Sequence, residues 1–81
     1  MTNAERVRAS ADLLVDAFMR CERGEIDRDA LMAQAAEHRK ILEGYAKAWK
    51  DRTGRKLYIP KTDRRLVSVV VNGVQGQRRY R

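Results

Sequence analysis

The sequence predicts an α+β fold of order α-α-β-β: an N-terminal antiparallel helical hairpin followed by a basic C-terminal β-hairpin. Three observations carry that expectation. Apolar residues recur at helical spacing through the first two thirds of the 81-residue chain, Gly24 and Gly54 close two such stretches, and Asn72-Gly73 sits inside a β-branched run. The length suits one domain, residues 1–81, with a helix at about 3–23, a second at about 28–52 and a β-prone basic segment at 55–81.

Thr2 with Glu5 forms a capping box, in which a hydroxyl and a carboxylate satisfy backbone N–H groups at a helix start. Val7, Ala11, Leu14, Phe18 and Cys21 then follow at alternating spacings of four and three, and Gly24 stands where a left-handed C-cap belongs. Asp27 is the N-cap of the second helix, with Ile26 and Leu31 spaced as a hydrophobic staple. Its stripe reads Leu31, Ala35, His38, Leu42, Tyr45 and Trp49. Glu43 and Lys47 are spaced as an i,i+4 ion pair, and Gly54 ends the helix.

Beyond Gly54, Leu57-Tyr58-Ile59 has the composition of a short strand stopped by Pro60. Residues 66–71 are rich in valine, and Asn72-Gly73 is the signature of a two-residue hairpin turn. Pairing across that turn gathers Val67, Val69, Val71, Val74 and Tyr80 on one face. The register of the helical hairpin sets His38 opposite roughly residues 12–14 and leaves Trp49 beyond the start of the first helix. Tyr45 and Trp49 are therefore core or interface residues. Trp49 is expected to be buried against Val67, Val69 or Val71, with a homodimer as the alternative cover.

Chemistry is bounded by what the chain offers. With one cysteine, Cys21, and one histidine, His38, there is no internal disulfide and no metal-ligand cluster, so no cofactor is expected. Asp12 and Asp16 are four apart, but Arg8 and Arg20 flank them at the same spacing, so an exposed charge ladder accounts for the pair. His38 reads as a buried side chain with a structural hydrogen bond, and Cys21 as a small core residue. Glycine-rich phosphate loops are absent, and a chain this short has little room for a deep pocket beside its core. The expectation is a protein that is not an enzyme. No apolar run approaches the roughly 18–20 residues that cross a bilayer, so no membrane partner is expected. The lone cysteine, with no cleavable signal pattern, points to the cytoplasm.

The net charge of +7 is unevenly spread. Residues 1–46 carry seven basic and nine acidic side chains, whereas residues 47–81 carry eleven basic side chains against Asp51 and Asp63 alone. Tyr58 and Tyr80 lie among Arg55, Lys56, Lys61, Arg64, Arg65, Arg78, Arg79 and Arg81. Aromatic rings between cations can stack on bases while the charges hold phosphates, although a solvated arginine-rich terminus has the same composition. These ten residues are the candidate contacts to nucleic acid or to an anionic partner. The expected function is that of a small binding protein whose basic C-terminal half engages nucleic acid or a nucleoprotein complex. The alternative is a phage-type inhibitor or assembly adaptor that docks its basic face on an acidic protein surface.

Overall fold

The computed structural model describes residues 2–79, with side chains through residue 74. Three helices follow one another: α1 (Asn3–Glu22), α2 (Arg28–Thr53) and α3 (Asp63–Arg79). Among the described residues there is no strand, so the fold is all-helical and the expected α+β class is incorrect.

The first two helices start and stop on the residues their sequences mark. The Thr2 hydroxyl oxygen accepts the Glu5 backbone N–H at 3.1 Å and its proton is directed to the Glu5 carboxylate, also at 3.1 Å. α1 ends in a Schellman motif. The Glu25 N–H donates to the Arg20 carbonyl, the Gly24 N–H donates to the Cys21 carbonyl, and Gly24 takes the left-handed φ of +76° that this closure requires. Arg23 and Arg20 both pair with Glu25, and the hydrogen bond from Arg23 is the main cause holding the Glu25 carboxyl below its ordinary pKa. Asp27 caps α2 by accepting the Ala30 N–H at 2.8 Å, and Gly54 closes it at φ +74°.

α1 and α2 pack as a hairpin whose register is pinned by one buried polar pair. His38 Nδ1 lies 2.9 Å from Ser10 Oγ, and both side chains are buried. The ring is 1% exposed, and burial pushes its pKa below the ordinary value because the charged form would lose its hydration. With Ser10 rather than residues 12–14 opposite His38, Tyr45 falls level with the first residues of α1. The last two turns of α2 therefore run past the hairpin. α3 lies against the half of the hairpin nearer the turn, where Val67 and Val71 join Leu14, Val15, Leu31 and Ala35 in the core.

The predicted β-hairpin fails for a reason visible in its own residues. Leu66, Val67, Val70, Val71 and Val74 also recur at the helical period, and all five are buried or half-buried in α3. Val69, which strand alternation groups with Val67 and Val71, is 51% exposed. Asn72 and Gly73 fall on the open face of the helix, where they cost helix propensity but meet no steric conflict. Core burial of one valine face outweighs both β-propensity and the turn signature. The short strand at residues 57–59 is likewise absent; this segment is irregular chain.

Trp49 also departs from expectation. It is half-buried and is not among the side chains packed on the core. Its indole stacks on Tyr45, ring centroids 6.4 Å apart and 16° from parallel, and the Arg52 guanidinium lies 5.3 Å from the ring centroid. The exposed end of α2 thus covers its aromatic residues with its own neighbours. Two expected ion-pair patterns change as well. Glu43 and Lys47 do not pair, whereas Lys40 lies 3.6 Å from Glu37, and Arg20 turns to Glu25 rather than to Asp16.

Candidate nucleic-acid interface

The segment joining α2 to α3 is fastened at both ends while its charges face water. Thr53 Oγ1 donates to the Trp49 carbonyl at 2.8 Å and accepts the Arg55 N–H at 3.2 Å, which sets the exit of the chain from α2. Pro60 is buried and Ile59 half-buried, so the far side of the loop is anchored. Thr62 starts α3 by accepting the Arg65 N–H on its hydroxyl oxygen at 3.2 Å and the Leu66 N–H on its carbonyl at 3.0 Å. Asp63 then accepts a hydrogen bond from Arg39 Nε at 2.8 Å, which ties the first turn of α3 to the middle of α2.

Between these anchors and just beyond them lie six of the ten predicted contact residues. Arg55, Lys56, Tyr58 and Lys61 are in the loop, Arg64 and Arg65 in the first turn of α3, and all six are exposed. Tyr58 is 76% exposed, an unusual position for an aromatic ring with so small a core available to it. Lys47, Lys50 and Arg52, on the last turns of α2, are exposed as well and extend the set beyond the ten residues expected from the sequence. Their signal was available, since they begin the basic half of the chain and fall on the stretch of α2 that outruns α1. Arg78, Arg79, Tyr80 and Arg81 have side chains outside the described residues. Tyr45 and Trp49 belong to the flank of this region and not to the core.

The electrostatics follow from the arrangement. From Lys47 to Arg65 there are eight basic side chains against Asp51 and Asp63, and the charge of Asp63 is taken up by Arg39. The loop returns the chain from the tip of α2 to the level of Arg39, a distance of roughly 20 Å at the rise of an α-helix. Successive phosphates of one strand lie about 6–7 Å apart along its backbone, twice the rise along a duplex axis, so such a strip matches roughly three phosphates.

Other chemistry finds little support in the geometry. Among the described residues no three His, Cys, Asp or Glu side chains group as metal ligands, and His38 is spent on Ser10. No helix of the described residues is long and apolar enough to cross a membrane. Comparison with protein-family models, with curated proteins and with solved structures finds no match for this chain.

Proposed function

We propose that this protein is a non-enzymatic nucleic-acid-binding protein that holds a phosphate backbone along the basic strip from Lys47 to Arg65 and stacks a base on Tyr58. One observation carries the reading: eight exposed cations and an exposed tyrosine run from the last turns of α2, through a loop fixed at both ends by hydrogen bonds and a buried proline, into the first turn of α3. A charged tail without such anchoring loses conformational freedom on binding; an anchored strip loses less. Binding is electrostatic in kind and tolerant of sequence, because its contacts are to phosphates and to the face of a base and not to base edges. The lone cysteine suits a reducing cytoplasm, where such a partner is met.

The test is oligonucleotide affinity as a function of salt, for the native chain and for a combined Arg55→Ala, Lys56→Ala, Lys61→Ala variant. These three side chains are exposed and outside every core contact, so the variant folds. Each lost phosphate contact removes about 0.7–0.9 from the slope of log affinity against log salt, and the variant is expected to lose roughly two units of slope. Equal affinity and equal slope for the two proteins would remove the strip from function. Tyr58→Ala is expected to weaken single-stranded oligonucleotides by about 1–3 kcal/mol while leaving duplex binding nearly unchanged, because only an unpaired base offers its face to the ring.

A further inference from the structure

A second surface lies away from the strip, on the side of the core where the three helices converge. Phe18, Leu31, Met32 and Val67 line a groove of about 430 Å³, with Cys21 and Val71 beside them. Among the described residues, two charged side chains, Arg28 and Arg64, also line it, and no carboxylate does. Both arginines stand in the first turn of a helix, where the helix dipole favours an anion over a cation. Of the carboxylates that neighbour them in the chain, Asp27 accepts the Ala30 N–H, Asp63 accepts from Arg39, and Asp29 is exposed and does not line the groove. Neither Arg28 nor Arg64 forms an ion pair among the described residues.

We infer that this groove receives an acidic amphipathic helix of a partner protein, whose apolar side chains enter the groove while its carboxylates meet Arg28 and Arg64. Charge complementarity selects this occupant. Two copies of this chain meeting across the groove on a twofold axis would bring four guanidinium groups to one seam with no carboxylate in the lining to receive them. Strand addition is disfavoured because the walls are helices whose backbone groups are already paired, so recognition falls to side chains. A helix presents those at positions three and four apart. The site is separate from the nucleic-acid strip except at Arg64, which lies on both. A molecule using both surfaces would connect a nucleic acid to an acidic protein.

The experiment selects ligands for the full chain from a random-peptide display library, at salt high enough to suppress binding to the strip. Enriched peptides are expected to carry apolar residues three or four apart with Asp or Glu alongside. A synthetic peptide of that kind should slow alkylation of Cys21, and Arg28→Glu should weaken its binding about tenfold, the equivalent of one lost charge-assisted contact. The same variant should keep its oligonucleotide affinity within about twofold, because Arg28 is outside the strip and distant charges are screened. That arm separates the two sites: failure of oligonucleotide binding in the native chain leaves the peptide result standing. Enrichment of neutral or basic peptides, or indifference of the selected peptide to Arg28→Glu, would overturn the inference. So would protection of Cys21 by self-association, which assigns the groove to a second copy, or by dodecanoate with no peptide selected, which assigns it to a free amphiphile.

Discussion

His38 and Ser10 show how much a single pair decides in so small a core. Removing the hydroxyl alone, in Ser10→Ala, leaves a buried ring nitrogen without a partner and is expected to cost about 1–3 kcal/mol. Replacing both, in Ser10→Ala with His38→Leu, should cost less than the two single changes together, since no orphaned polar group remains. The pair also makes stability depend on pH, in a direction set by the lowered pKa of His38. Because the unfolded ring titrates near its ordinary 6.5 and the folded ring below it, the unfolded state binds the proton first as pH falls. Stability from this group is complete above the unfolded value and declines as pH drops through 6.5 toward the folded one. The urea midpoint should therefore fall between about pH 7.5 and 5.5, and His38→Leu should flatten that change; an unchanged slope would mean the ring is not held neutral by burial. Trp49 is the contrasting residue. Half-buried on its own helix against Tyr45 and Arg52, it should cost only about 1–2 kcal/mol as Trp49→Ala, and the protein should stay folded.

At the scale of elements, α3 is where the sequence was read wrongly and where a single substitution separates the two readings. Gly73 lies within the helix with open space where a Cβ would stand. Gly73→Ala is expected to stabilise the protein by about 1 kcal/mol, read as a higher melting temperature, because alanine is the better helix former. In a two-residue hairpin turn the same change would force a positive φ on alanine and destabilise, so the sign alone discriminates. Gly54→Ala should destabilise for that reason, since φ is +74° there. The ends of α1 and α2 were legible because Thr2, Gly24, Asp27 and Gly54 act locally, through bonds to neighbours a few residues away. α3 was not, because Leu66, Val67, Val70, Val71 and Val74 satisfy two periods for part of their length, and the deciding term is burial against Leu14, Leu31 and Ala35. The same limit applies to the sites. The exposed cations were readable from composition, whereas the groove needs residues from three helices and has no signature along the chain.

The whole molecule divides its labour by position. The half of the helical hairpin nearer the turn is packed by α3 and supplies the core, while α2 continues past α1 and carries aromatic and basic side chains into solvent. The longest extent, 42 Å, is close to the roughly 39 Å length of the 26-residue α2. The basic strip runs back along it, and its charges are spaced by anchored backbone instead of being free to spread. This arrangement explains why so strongly basic a chain need not be a disordered tail. In the proposed function, binding falls to the α2–α3 connection, with α1 serving as support. The most direct measurement is a map of backbone amide NMR shifts on titration with a short oligonucleotide. The account predicts that the shifts concentrate at residues 47–65, with Tyr58 among the largest, and that Ala11–Cys21 of α1 stay in place. Shifts spread evenly over the three helices, or gathered on α1 with residues 47–65 unmoved, would contradict it.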